Sequence, residues 1–173
     1  MIFLLKAAAI ILVFCGFCCG GRYLAKTQVK KAEITGDILL MISVIQTQLR
    51  YACLPLSDLL RVLCSTEKLK NLRFVEECRK GVCLGEAFPE AWKNAVEGDA
   101  ELCALLSDCK DYLIQLGADM GTTDIEGQLR CCEYYGQIFG KELALREENS
   151  KKYSKLYPSL GVMLGISAAI MII

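Results

Sequence analysis

The residues best equipped for chemistry are the cysteines, eleven of them in a 173-residue chain that has no histidine. CGFC at 15–18 has the spacing of a thioredoxin-type redox pair. Such a pair needs a thiolate, made reactive by a helix N-terminus and a neighbouring cation. Here it lies inside the apolar run MIFLLKAAAIILVFCGFCCGG at 1–21, where desolvation keeps thiols protonated. Cys19 lies in the same run, and the eight outside it, Cys53, Cys64, Cys78, Cys83, Cys103, Cys109, Cys131 and Cys132, offer neither two CxxC pairs nor Cys with His at zinc-ligand spacing. Free, mostly buried thiols acting as small hydrophobes are the expectation, with no metal and no cofactor. Without histidine there is no histidine triad and no histidine general base. The carboxylates are scattered over helix faces and not paired at a cleft, so no catalytic residue stands out.

Two apolar ends frame these residues. The segment 1–21 carries only Lys6, and 156–173 carries no charge at all. As a helix the second spans roughly 27 Å, enough to cross a bilayer core. Gly161, Gly165 and Ser167 suit close packing of helices in lipid. A cleavable signal peptide is the rival reading of 1–21, with Cys18 and Gly20 mimicking a cleavage site. A lipoprotein signal fails, because Phe14 and Phe17 stand where a small residue is needed before Cys15 or Cys18. One lysine precedes the first run, whereas Arg22, Lys26, Lys30 and Lys31 follow it; Lys151, Lys152 and Lys155 precede the second. The positive-inside bias then makes both ends uncleaved anchors and places 22–155 in the cytoplasm. Positions 33–150 hold 12 basic and all 20 acidic residues, a net charge of −8 beneath the zero overall balance. That region is repelled by nucleic acid, while its basic flanks suit anionic headgroups.

The middle, large enough for one small domain, reads as helix throughout. Ile34, Ile38, Ile42, Ile45 and Leu49 step by four, four, three and four, so a long first helix leaves the anchor and stops near Pro55. Shorter helices are expected at 56–65, 68–80 and 87–97. Leu102, Leu105, Leu106, Cys109, Leu113 and Leu116 form the next stripe, capped by Asp99 and ended by Gly117. Ile125, Leu129, Cys132, Tyr135, Phe139 and Leu143 form the last, opened by the capping-box pair Thr123 and Glu126 and unbroken before Pro158. Trp92, flanked by Ala91 and Ala95, reads as a core anchor before it reads as a partner hot spot. The fold class expected is all-α, an antiparallel bundle of about five to six helices between N- and C-terminal membrane segments.

Within this bundle 117–128 is the candidate partner-binding site: Gly117, Asp119, Gly121, Asp124, Glu126 and Gln128. Gly117 and Gly121 permit a tight reversal between the two longest domain helices. Asp119, Asp124 and Glu126 gather negative charge where the next helix begins. Asp119 has no capping duty in this scheme, so its charge is open to a partner. A purely structural reading explains most of the same residues: Gly117 as a helix stop, Asp124 and Glu126 as dipole partners, Gln128 as a hydrogen bond at the core edge.

LGADMGTTDIEGQL at 116–129 resembles the helix-loop-helix signature of the stage III sporulation protein AB family, loosely LG-x-x-x-G-x-x-D-x-x-x-Q, matched by Leu116, Gly117, Gly121, Asp124 and Gln128. KLYPSLGVMLG resembles that family's entry into its last membrane segment through Ser159, Leu160 and Gly161. FPEAWKNAV is similar to its aromatic-x-Glu-Ala-Trp helix, with Trp92 at the match. The cysteine content departs from the family's pattern, though the cysteines fall where small apolar residues would serve. The resemblance implies a membrane protein of endospore-forming bacteria, in the complex that joins mother cell to engulfed forespore and seated in the mother-cell membrane around the forespore. Its soluble region is then similar to the cytoplasmic helical domains of the F-type platform of type II secretion and type IV pilus machines.

The function expected is a non-enzymatic, membrane-anchored scaffold or platform of a secretion-like channel. Its partners would be other channel subunits, a cytoplasmic hexameric ATPase and a second copy of itself as homo-oligomer, with no nucleic acid. The rival class is a membrane-tethered thiol-redox or metal-binding protein using the domain cysteines. A holin-like pore former is the third, for which about 120 soluble residues is a large domain.

Overall fold

Apolar residues spaced by three and four build helix after helix. The computed structural model describes residues 2–52 and 54–172, and side chains outside 2–14, 17–18, 155, 164–165 and 168–172. Among the described residues there are seven α-helices and no strand: α1 (Ile2–Ala52), α2 (Leu56–Ser65), α3 (Arg73–Cys83), α4 (Phe88–Gly98), α5 (Ala100–Leu105), α6 (Lys110–Thr122) and α7 (Ile125–Ile172), with a short 3-10 turn, Glu67–Leu69, before α3. The expected membrane segments 1–21 and 156–173, with Cys18 of the CGFC pair, lie largely outside the described side chains. Among the described residues no helix is long and apolar enough to cross a membrane.

Contacts divide the chain into two units, Glu33–Leu143 and the paired terminal stretches Met1–Ala32 and Ala144–Ile173. Their charges are opposite: 11 basic against 18 acidic residues in the first, net −7, and nine against two in the second, net +7.

The Glu33–Leu143 unit closes around one core. The predicted stripe Ile34, Ile38, Ile42, Ile45 and Leu49 is buried along α1, joined by Met41. It meets Cys132, Tyr135 and Phe139 of α7, which also belong to that core. Leu59, Leu60 and Leu63 of α2 and Phe74, Val75 and Cys78 of α3 extend it. Ile125, assigned to the stripe from its spacing, is 44% exposed, because it stands in the first turn of α7 beyond the end of the core.

Helix ends follow local chemistry. Pro55 stops α1, and its carbonyl accepts the amides of Asp58 and Leu59 at 3.0 Å to start α2. At the end of α3 Gly85 adopts φ +95° and the Glu86 amide reaches back to the Gly81 carbonyl at 3.1 Å. This left-handed cap fits glycine best and lets α3 run to Cys83, beyond the expected stop at residue 80. Pro89 falls in the first turn of α4, where its missing amide costs nothing.

Two expectations about the next helices are corrected. The single helix drawn over 99–117 is two, α5 and α6, which brings the expected five or six helices to seven. Asp99 does cap the first, accepting the Leu102 amide at 2.9 Å. The ladder then turns at 106–109, where the Ser107 hydroxyl donates to the Asp108 carboxylate at 3.2 Å. Short polar side chains of this kind compete with helical hydrogen bonding. The apolar stripe survives the break, with Leu102, Leu105, Leu106, Cys109, Leu113 and Leu116 all buried. Gly117 does not end the helix, for α6 continues to Thr122. At the far end α7 passes through Pro158 and keeps its helical course for 48 residues.

Candidate functional site

The predicted docking residues meet at the α6–α7 junction, but most are engaged inside the fold. Gly117 is buried in α6, and a Cβ there would overlap Trp92 Cδ1 and lie 2.6 Å from Trp92 Nε1. One turn on, a Cβ at Gly121 would overlap Pro89 Cγ and lie 2.8 Å from Pro89 Cδ. The two glycines therefore make a flat strip on α6 against which α4 rests. They serve the approach of two helices and not the reversal first assigned to them. Trp92 exploits that approach: only 1% exposed, it donates from Nε1 to the Leu113 carbonyl at 2.8 Å and packs edge-on against Phe74 with centroids 5.2 Å apart. The core-anchor reading of Trp92 holds.

Asp119 also departs from expectation. Its carboxylate accepts the Tyr135 phenol at 2.7 Å and the Gln115 amide at 3.1 Å, tying α6 to α7. Burial, and then this bond to Asp119, push the Tyr135 phenol above the usual tyrosine range. Asp119 is thus a structural acceptor and not a spare charge, a role invisible in the sequence because Tyr135 lies 16 residues away.

Asp124 caps α7 by accepting the Gly127 amide at 2.9 Å. The Thr123 hydroxyl turns back to donate to the Asp119 carbonyl at 2.8 Å, so the cap sits one residue later than the Thr123–Glu126 box. Gln128 donates from Nε2 to the carbonyls of Met120 and Thr123, at 2.9 and 3.1 Å, and so satisfies the end of α6. Glu126 points outward, 83% exposed, with Arg130 at 3.7 Å. Residues 121–126 are exposed as a continuous stretch. The geometry leaves Asp124, Ile125 and Glu126 as the outward-facing part of the candidate site.

A second polar cluster was missed. On α3 the Arg79 guanidinium grips Glu76 with two bonds, 3.0 Å from Nε and 2.7 Å from Nη2. That grip, and then the neighbouring Cys64 thiol, hold the Glu76 carboxyl down at about 2. Cys64 is pushed up to about 11 by burial first and by Glu76 second. These three line an open groove between α2 and α3 with Asp58, Arg61 and Ser65. The signal was the three-residue spacing in FVEECRK. Chemically the group is self-satisfied, since the guanidinium fork is occupied by Glu76 and the thiol is protonated at neutral pH.

Three further thiols behave alike. Burial pushes Cys78 and Cys132 up to about 12 and raises Cys131 as well. Cys64, Cys78, Cys83, Cys103, Cys109, Cys131 and Cys132 are unbridged. Among the described residues no three of His, Cys, Asp and Glu gather closely enough to hold a metal ion. Nor, among them, does any buried side-chain nitrogen or oxygen lack a hydrogen-bond partner.

The family model for stage III sporulation protein AB matches residues 6–173 of the chain. No curated protein and no solved structure matches it.

Proposed function

The chain belongs to the stage III sporulation protein AB family and is a sporulation-stage protein; from that premise we propose that it is a non-enzymatic platform subunit of a secretion-like channel between mother cell and forespore. In this role 1–21 and 156–173 anchor it in the mother-cell membrane around the forespore, and 22–155 faces the cytoplasm. Its partners are the other channel subunits, a hexameric ATPase among them. The observation that supports it best is the use the helical unit makes of its reactive groups. The thiols of Cys64, Cys78, Cys131 and Cys132 are held protonated, carboxylates cap helices or pair with arginine and tyrosine, and buried polar atoms are satisfied among the described residues. What such a unit offers a partner is its surface, and the net −7 of Glu33–Leu143 is a handle for a basic face.

The docking surface belongs at 122–126, where Asp124, Ile125 and Glu126 stand exposed on the rigid α6–α7 support. The test is crosslinking and co-purification of the tagged full chain from sporulating cells, native against Glu126→Lys. Loss of channel partners from a variant that remains folded is expected. Retention of every partner moves the interface elsewhere, and a thiol titrating well below the ordinary cysteine range would overturn the non-enzymatic reading. Reporter fusions at Thr35 and after Ile173 should report opposite compartments; the same compartment for both refutes the topology.

A further inference from the structure

The terminal unit holds a built cation pair that the scaffold role does not use. α1 and α7 touch backbone to backbone at Gly21, where a Cβ would lie 2.5 Å from the Tyr157 carbonyl oxygen. Beside that contact a groove of about 350 Å³ opens between the helices, lined by Arg22, Ala25, Lys26 and Val29 of α1 and by Ser154 and Pro158 of α7. Arg22 and Lys26, one helical turn apart, are both exposed. Neither forms an ion pair among the described residues. The groove floor is small and apolar, with Ala25 only 8% exposed. Pro158 has no amide to give the Ser154 carbonyl, so that helical bond is missing beside the groove, and the Ser154 hydroxyl donates to the Lys151 carbonyl at 3.3 Å.

What adjoins the groove identifies its occupant. Toward the end of α7 the surface turns apolar, with Leu160, Met163 and Ile166 between 45% and 64% exposed. Toward the other side come Lys151 and Lys152, both exposed, and the stacked rings of Tyr153 and Tyr157, with centroids 5.1 Å apart. The sequence of surfaces is apolar side chains, then a pair of cations beside a serine hydroxyl, then lysines and tyrosines. A molecule with an anionic phosphodiester between acyl chains and a hydroxylated head matches that order. The unit as a whole carries net +7, which favours the same charge.

We infer that the groove between Arg22, Lys26 and Ser154 is a binding site for the headgroup of an anionic phospholipid. The inference rests on the anchored reading proposed above. The guanidinium and ammonium take the phosphodiester, and the Ser154 hydroxyl oxygen, whose proton goes to the Lys151 carbonyl, accepts from a headgroup hydroxyl. Bound lipid then holds α1 and α7 together where they leave the bilayer.

The experiment uses the full chain with vesicles of phosphatidylcholine alone, or of phosphatidylcholine containing phosphatidylglycerol. Flotation with neutral vesicles reads the anchors without reference to lipid charge, and failure there refutes anchoring. Lipid retained by the detergent-purified chain, measured by native mass spectrometry, reads the groove. Phosphatidylglycerol should be retained over phosphatidylcholine. Arg22→Gln/Lys26→Gln should lose at least about tenfold of that preference, from the attraction typical of two basic residues at a membrane surface. Lys151→Gln/Lys152→Gln removes the same charge from the same unit outside the groove, and should keep most of the preference. Equal loss in both pairs overturns the site in favour of diffuse attraction. Retention of both lipids with no preference for the anionic one overturns it outright, and displacement by millimolar inorganic phosphate would assign the groove to free phosphate.

Discussion

Replacing Gly117 by alanine should weaken the fold, against the ordinary rule for a glycine inside a helix. Alanine is favoured there by about 1 kcal/mol on propensity alone. At this position, however, the new methyl overlaps the Trp92 ring, which has Phe74 on one side and Phe88 on another, with centroids 5.2 and 5.5 Å away. Overpacking a closed core costs about 1–3 kcal/mol. If the ring shifts to make room, its Nε1 leaves the Leu113 carbonyl, and a buried donor without a partner costs a further ~1–3 kcal/mol. Net of the propensity gain, the loss is about 1–5 kcal/mol. For a chain of this size each kcal/mol moves the melting temperature by about 2–4 °C. Thermal unfolding of the full chain can be followed by far-UV circular dichroism and by fluorescence of Trp92, the chain's one tryptophan. Gly140→Ala is the internal control: nothing lies within 4 Å of a Cβ there, so it should gain about 0.5–1 kcal/mol. A Gly117→Ala protein as stable as the native chain, with unchanged Trp92 emission, would refute the close-packing role.

Asp119→Asn should cost about 1 kcal/mol, because the Tyr135 phenol loses a charged acceptor, and Tyr135→Phe should abolish most of that difference in a double-mutant cycle. Asp119→Lys should be worse, so lost co-purification in that variant reports misfolding unless its melting temperature is unchanged. Cys78 and Cys132 are held near 12 against an ordinary 9.0, so the stability they provide is intact below pH 9 and declines as pH rises toward 12, the unfolded chain ionising first. Urea titrations at pH 8 and pH 10 should differ by about 1 kcal/mol per thiol, and Cys78→Val/Cys132→Ala should flatten that dependence. Cys132→Ala alone at pH 7 should cost on the order of 1 kcal/mol and leave the protein helical.

The helical stripes were legible because burial imposes a period, and that period is written locally. Every member of the α1 stripe is buried, as is the whole series from Leu102 to Leu116 across a break in the helix. The break itself was not legible. The turn at 106–109, polar only at Ser107 and Asp108, leaves the apolar spacing almost in phase, so periodicity alone runs the two helices together. The glycines were misread for a related reason. Glycine at a helix end and glycine under a neighbouring ring look the same in one dimension, and only the position of Trp92 separates them. Asp119 and Cys64 depend likewise on partners brought in from other helices, whereas the Glu76–Arg79 pair was open to reading in its three-residue spacing on α3. A cap at this junction and the hydrogen-bonding role of Gln128 were accessible, because caps are satisfied within a few residues of themselves, although the cap was assigned to Thr123, one residue before Asp124.

That difference bears on how the α6–α7 end should be probed. Gly117, Asp119, Gly121 and Gln128 hold α4, α6 and α7 in fixed relation, and a change at any of them loosens the support before it touches a partner. A loss of binding in such variants cannot separate a damaged scaffold from a removed contact. Residues 122–126 differ in that they are exposed, although Thr123 and Asp124 still use their side chains locally. Ile125 and Glu126 carry the least structural duty, with only the loose, exposed Glu126–Arg130 pair between them and solvent. An exposed pair of that kind contributes about 0–1 kcal/mol, so removing it leaves the fold nearly untouched. A partner-binding role for the stretch is therefore tested most cleanly at Ile125 and Glu126, which the signature leaves unspecified. The signature's own glycines and glutamine are explained by helix packing and by closing the end of α6, whether or not a partner docks there.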